Sequence, residues 1–559
     1  MKEKLIHLLL IACLVTLFYA NSFANFFVWN DWTLIIENFL VKDRSNLPEI
    51  FTSAFWKPLV GEPSQIYRPL VSLSFMVDFS LWGLKPWGYH LTNTALHVLN
   101  SVLAYFLMRL YVSPVIALMT TLLFAVHPIH TEAVTYISGR SDLLMSLFVL
   151  GGALLFLRSE RRKSWWLYLA SLPLFFLSLF AKETAVVLPL WLVIADLTAF
   201  RSSLRGHTSR LLLRQIGPVV TLALYFIVRR YFAGMTLSNQ GPASPDLVRH
   251  LLIVLNAIPV YVGLLLFPWK VHFIHPPAPQ DGFLDLHLLL SILLLVGAGW
   301  GLRAAARSDN SAALFALSWS LAGLLPLIHF TGLNLPLLEG WVYLPSLGFF
   351  LLAALFLGRL QFRGPSRLHI WLTVLMAVLL GGITLNRNQD WKDDLQISLH
   401  TAAVSPEEPI ALRLLGDAYF RRGRTDKAEQ LFQKAVLLAP RDPRSHESLG
   451  QLYDFNGKNS EALTRYHLTR ELAPKDPYAY WRLGRYYLRQ GNSVEAELYF
   501  REAQRLFPRS SELRNSLAQV YYLQGKFGPA EAELRAALRI LPYSRALRNN
   551  LEQILKRKR

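Results

Sequence analysis

The chain predicts an all-α protein: a polytopic membrane domain over the first two thirds, then an α-solenoid of helix pairs over the last third. Three observations carry that reading. The 559 residues are 53% hydrophobic and 13% aromatic, and the apolar residues concentrate before about residue 385, a distribution that suits a bilayer. Apolar runs long enough for a helix to cross about 30 Å of hydrocarbon recur through residues 1–390. After residue 408, glycine, proline, tyrosine and alanine return at a fixed step of 34 residues.

Taken in order, the apolar runs are 5–22, 90–108, 113–127, 142–157, 165–181, 184–200, 212–229, 251–267, 284–302, 311–330, 341–358 and 368–385. The first follows Lys2 and Lys4 and precedes Ser22 and Ala24, the outline of a signal peptide; the many spans behind it favour an uncleaved anchor. Either choice leaves residues 23–89 as a first external loop. Lys and Arg mark the cytoplasmic side of a membrane protein. With Lys2 and Lys4 inside, Arg109, the cluster Arg158, Arg161, Arg162 and Lys163, and then Arg201, Arg205, Arg210 and Arg214 fall inside as well. Arg303 with Arg307, and Arg359, Arg363 and Arg367, join them only if "LLIVLNAIPVYVGLLLF" (251–267), short and interrupted by Pro259, is re-entrant or lies on the surface as a hairpin. That gives about eleven spans, a cytoplasmic N-terminus and an external C-terminal third. The net charge of +19 belongs to this topology and not to nucleic-acid binding. Cys13 is the single cysteine, which excludes an intramolecular disulfide and a Cys-based zinc site.

A linker is expected at 391–408. Beyond it Gly423, Gly457, Gly491 and Gly525 form one ladder, and Pro440, Pro474, Pro508 and Pro542 a second. Tyr419, Tyr453, Tyr487 and Tyr521 form a third, and Ala428, Ala462, Ala496 and Ala530 a fourth. Small residues let two antiparallel helices approach, an aromatic fills the layer between them, and proline ends the second helix: this is the tetratricopeptide pattern. Four repeats follow (409–442, 443–476, 477–510, 511–544), with a basic capping helix to Arg559. Residues 409–559 hold 28 Lys and Arg against 16 Asp and Glu, a sign that suits an acidic peptide or anionic headgroups as well as an ordinary solvated surface.

Chemistry is expected where the external loops meet the bilayer. Asp31, in "VWNDWTL", is a carboxylate bordered by bulky aromatics, a partly dry setting that suits a general base. Arg68, Arg140 and Lys182 are basic groups for a departing phosphate; the plainer alternatives are snorkelling toward lipid phosphate for the two arginines, an interfacial ion pair with Glu183 for Lys182, and a structural helix cap for Asp31. His90, Asn93 and His97 share one helical face. Further polar residues at such depth are Asn30, His127, His130, Glu132, Asp142, Glu183, Glu339 and Tyr343, which with His90 and Asn93 are read as acceptor or sugar contacts. His127 and His130 flank a proline as a metal pair does, but lack a third ligand at a known spacing, so no metal site is assigned. Together these residues suit transfer of a sugar from a polyprenyl phosphate. A membrane-anchored repeat scaffold is the alternative, and the scarcity of charge inside most spans argues against a transporter.

"FFVWNDWTLIIENFLV", "YRPLVSLSFMVDFSLWGLKPWGYHLTNTALHVLN", "HPIHTEAVTYISGRSDLL", "AKETAVVLPL", "VYLPSLGF" and "NRNQDWKDDLQI", in this order and followed by the repeats, resemble the transmembrane and tetratricopeptide-repeat-containing protein family across essentially the whole chain. The resemblance implies a GT-C membrane fold and a polyprenyl-phosphate-sugar-dependent O-mannosyltransferase that inverts the anomeric carbon. It implies an acceptor, protein or glycan, recruited by the repeats. The compact form implies a bacterial member, with its body in the inner membrane and its repeats periplasmic or extracellular. The family's acidic pair falls on Asn30 and Asp31, so its first acid is an amide here; where the family often has Glu-Arg before "YLPS", this chain has Glu339 and Gly340.

Overall fold

The computed structural model describes residues 2–52, 66–199, 208–233, 247–270, 286–326, 338–359, 368–508, 510–540 and 544–558. Arg201, Arg205, Arg363, Arg367 and Pro542 lie outside them. The chain divides into two compact units, residues 1–31 with 67–393, and residues 32–66 with 394–559.

In the first unit the expected apolar runs are helical. Lys2–Ala24, Pro86–Met108, Ile137–Arg162, Leu212–Phe232, Leu286–Arg307 and Leu368–Asp390 are long and apolar enough to cross a bilayer, and Pro114–Val126 with Pro128–Val134 is one such run bent by 54°. Pro69–Trp82, Trp165–Ala181, Ser311–Leu324 and Ser346–Arg359 are apolar but shorter; at about 1.5 Å per residue, helices of that length fall short of a full crossing or barely span one. Prolines 69, 86 and 114 open their helices, where a missing N–H costs nothing. Outward faces carry Leu212, Val296 and Trp371, exposed as lipid-facing residues are. The protein is thus a multi-pass membrane protein. The 251–267 segment is not a hairpin: all of it but Phe267 lies in one helix, Leu247–Leu266, which keeps Pro259 in its interior. The break falls instead at His127–Pro128, where the chain turns between two helices.

The first and last long helices of this unit are stitched together near their ends. Asn388 donates its side-chain amide to Phe18 O (2.8 Å), and its Oδ1 accepts from Thr135 Oγ1 (2.6 Å). Asn25 donates to Asn388 O at 2.8 Å, and Phe26 N to Lys392 O at 2.8 Å.

The second unit contains the repeats. Helix pairs 409–421/425–438, 443–455/459–472, 477–489/493–506 and 511–523/527–540 match the expected repeats, and Arg545–Lys558 is the capping helix. The 391–408 region is not a plain linker: Asp394–Val404 is a helix packed on the first repeat, with Asp394 2.9 Å from Arg421. Gly423, Gly457, Gly491 and Gly525 all have positive φ, the left-handed turn after a helix that glycine adopts without a Cβ clash. The alanine ladder is fully buried. The tyrosine ladder shares the interior of the repeats with a second aromatic ladder: Tyr453 and Tyr521 are buried, and Tyr419 and Tyr487 pack on the same cluster as Phe432. In that second ladder Phe432, Tyr466 and Phe500 lie between the paired helices, against Gly416, Gly450 and Gly484. Residues 32–52 join this unit; Asp43 lies 3.4 Å from Arg545 of the capping helix.

Candidate active site

Asp31 ends a tight turn. Its backbone N–H donates to Val28 O (2.9 Å), and its Oδ2 accepts from Val28 N (3.0 Å). Trp29, inside the turn, has φ 49°, a left-handed conformation that a bulky residue adopts only when its surroundings impose it. The other carboxylate oxygen accepts from Ser138 N at 2.9 Å and from the Ser138 hydroxyl. The side chain is completely buried. Trp29 packs on Tyr136, and Tyr136 stacks on Trp391 at 5.0 Å and 17°, so an aromatic wall flanks this turn. Asn30 is half-buried in the same turn.

Each expected phosphate-binding cation has an acidic partner. Arg68 Nε lies 2.9 Å from Glu183 Oε2, while Glu183 Oε1 accepts from Tyr67 N at 2.7 Å. Lys182 Nζ lies 2.5 Å from Asp142 Oδ1. Arg140 is fully buried and engaged on several sides: Asp78 at 2.6 Å, Asn93 Oδ1 at 2.7 Å, Tyr89 O at 3.0 Å and Ser74 Oγ at 3.4 Å. Its guanidinium also lies over the Phe75 ring. Arg140 is therefore a structural tie. Arg68, with 19% of its side chain exposed, is the more accessible of the two arginines.

The remaining polar residues sort into three groups. Glu132 reaches across to the Glu339 turn, accepting from Glu339 N (2.6 Å) and Gly340 N (3.1 Å). A Cβ on Gly340 would stand 3.0 Å from Asp142 and 3.4 Å from Glu132, so Glu132, Asp142, Gly340 and, through Asp142, Lys182 form one cluster. Asn93 fastens the 131–139 turn by donating to Val134, Tyr136 and Ile137 carbonyls at 3.2–3.3 Å. His90 is buried near the Asn25 and Thr135 backbone.

The histidines form an aromatic nest. His97 Nε2 is 2.9 Å from Ala125 O, which only accepts, so that nitrogen carries the proton and Nδ1 accepts from the Tyr343 hydroxyl at 2.6 Å. His127 Nδ1 accepts from Ile129 N at 3.2 Å, leaving Nε2 to donate to Leu265 O at 3.2 Å. His130 packs on Tyr343 with ring centroids 4.7 Å apart. Among the described residues, no group of three or more His, Cys, Asp or Glu is arranged to hold a metal.

Ser138, Arg387 and Asp390 are the site neighbours that sequence reasoning passed over. Arg387 lies 2.7 Å from Asp390 and 3.9 Å from Glu339. A signal for them existed, since Ser138 lies within "YISGRSD" and Arg387 and Asp390 within "NRNQD".

Tetratricopeptide-repeat family models match residues 409–442, 448–511 and 495–545. Protein O-mannosyl-transferase TMTC3 of Mus musculus is 27% identical over 472 residues, 76% of this chain and 50% of the relative. Protein O-mannosyl-transferase F38B6.6 of Caenorhabditis elegans is 25% identical over 450 residues, 77% of this chain and 62% of the relative. Among solved structures, a thermophilic TPR protein of Thermus thermophilus is 21% identical, covering 34% of this chain and 97% of that one at a TM-score of 0.27. The chain spans about half the length of the first curated relatives it matches. In its membrane helices, its repeats and these relatives, the chain is similar to the transmembrane and tetratricopeptide-repeat-containing O-mannosyl-transferases.

Proposed function

We propose that the chain is a membrane glycosyltransferase of the GT-C type, moving a sugar from a polyprenyl-phosphate donor to an acceptor hydroxyl on the external face. The relatives' names point to mannose as the sugar and protein as the acceptor. The observation that carries the reading is Asp31: a buried carboxylate, oriented by Ser138 and Val28, in a turn walled by aromatic rings.

In the reaction, Asp31 takes the proton of the acceptor hydroxyl as its oxygen attacks the anomeric carbon on the face opposite the phosphate. The new glycosidic bond forms as the bond to the phosphate oxygen breaks, and the configuration inverts. Polyprenyl phosphate leaves with the bonding electron pair, its charge met by Arg68 and Lys182 as they loosen from Glu183 and Asp142. Arg140 holds the wall on which these groups stand. A second reading, a membrane-anchored repeat scaffold for envelope assembly or secretion, draws on Asn30 and Gly340, which replace groups the family often carries.

The test is sugar transfer by purified protein in lipid, with radiolabelled polyprenyl-phosphate sugars and wild type against Asp31→Asn. The variant should transfer about a hundredfold more slowly or worse while binding donor normally. Equal transfer by both would remove Asp31 as the base, and no transfer by a folded, donor-binding wild type would leave the scaffold reading.

A further inference from the structure

A second feature lies within the repeats. The first helices of repeats one to three border a hollow of about 160 Å³, lined by Phe420, Asp454, Phe455, Arg482, Arg485 and Arg489 among others. Two of the three guanidinium groups have their own carboxylates. Arg482 Nε lies 2.9 Å from Glu447, and Arg489 pairs with Asp454. Arg485 is different: among the described residues no carboxylate lies within ion-pair distance of it, and it lies instead 4.7 Å over the Trp481 ring. A guanidinium lying over an aromatic face keeps its N–H edge for a planar anion.

Beside this cation stands an apolar group that the fold does not use. Phe455 is 69% exposed, held edge-on to Phe420 at 5.3 Å. An exposed ring next to an unbalanced arginine complements a ligand that has both a carboxylate and an apolar side chain. Inorganic phosphate has no apolar part. The excess of basic residues across the array, 28 against 16 acidic, adds long-range attraction for an acidic chain.

We propose that this hollow docks a segment of acidic polypeptide, with a carboxylate on Arg485 and an apolar side chain on Phe455. The docking stands independently of the transferase reading.

The experiment uses the purified full chain in detergent and a fluorescein-labelled peptide of alternating glutamate and leucine, followed by anisotropy, with the lysine–leucine peptide as comparison. The acidic peptide should bind and the lysine peptide should not. Arg485→Glu should weaken binding by about tenfold or more, and Phe455→Ala, which trims an exposed side chain, by about fivefold, both with unchanged helix content. Equal binding of the two peptides, or acidic-peptide binding unaffected by Arg485→Glu, overturns the proposal. Displacement of the peptide by inorganic phosphate at matching concentration would make the hollow a simple anion site, and displacement by phosphatidylglycerol vesicles a headgroup site; either result overturns it as well.

Discussion

The two units handle charge in opposite ways. In the membrane unit, Arg140 with Asp78 and Lys182 with Asp142 are single pairs with almost no exposed surface. In the repeats, pairs such as Arg501 with Glu497 and Arg505 with Glu502 lie within one helix, their arginines mostly in solvent. Taking a charge out of water costs several kcal/mol, which only a close partner and further hydrogen bonds offset. An exposed pair gains about 0–1 kcal/mol and is screened by salt. The charges of the membrane unit are thus fixed parts of the fold, whereas those of the repeats mostly shape its surface. Arg485, which among the described residues has no carboxylate within ion-pair distance, departs from both patterns.

The sharpest test of that contrast removes one buried partner. Arg140→Met leaves the buried Asp78 carboxylate with the Thr92 hydroxyl but without its ion-pair partner and should cost about 3–5 kcal/mol, read as a lower unfolding midpoint of the purified chain. Adding Asp78→Leu should recover most of that loss, because two apolar groups replace a charge pair. A double variant no more stable than the single one would show that the pair is not the coupled unit described here. Arg505→Ala in the repeats, by comparison, should shift the midpoint hardly at all.

A smaller effect is expected from packing. Repeats one to three set glycine against a ring, Gly416 with Phe432, Gly450 with Tyr466 and Gly484 with Phe500; repeat four has Ala518 and Leu534 at the same places. A Cβ at Gly416 would stand 2.5 Å from the Phe432 ring, so Gly416→Ala forces the ring aside at about 1–3 kcal/mol. Alanine's better helix propensity returns about 1 kcal/mol. The net loss should be near 1 kcal/mol by thermal unfolding, and Phe432→Leu added to it should restore stability. If the added leucine makes matters worse, glycine and ring are not matched for size.

These cases also mark what was legible in the sequence. Helices and repeats follow from periodicity and hydropathy, which are local, so the apolar helices and the four repeats emerge nearly in place. The Gly416 and Phe432 ladders share the 34-residue step and are readable beside the more conspicuous tyrosines. Asp394–Val404 reads as linker in the sequence because it belongs to no repeat. Partnership is another matter. Arg68 and Glu183 are 115 residues apart, and Lys182 and Asp142 are 40 apart. Residue type and depth flagged all four as costly to bury, yet nothing local says which acid meets which base. Asp31 likewise stood out beside its tryptophans, whereas Ser138, which orients it, is a single hydroxyl 107 residues away.

The smallest effect concerns a repeat carboxylate between the two regimes. Burial pushes Asp417 above its ordinary 3.8, with Arg413 and Arg421 acting in the opposite direction. Its oxygens meet Arg413 and Ser448, each at 3.2 Å. Because the folded chain then holds this proton to higher pH than the unfolded chain does, Asp417 makes stability fall as pH rises from the ordinary value through the raised one, and rise again on acidification. This is the reverse of what a carboxylate stabilised by its partners contributes. Asp417→Asn keeps an acceptor for Ser448 and removes the titration. Midpoints taken at steps from pH 4 to 7 should therefore decline less with rising pH in the variant than in wild type, with the two converging at the acid end. Parallel profiles would mean that Arg413 and Arg421 balance the burial, and that Asp417 belongs with the surface pairs of the repeats.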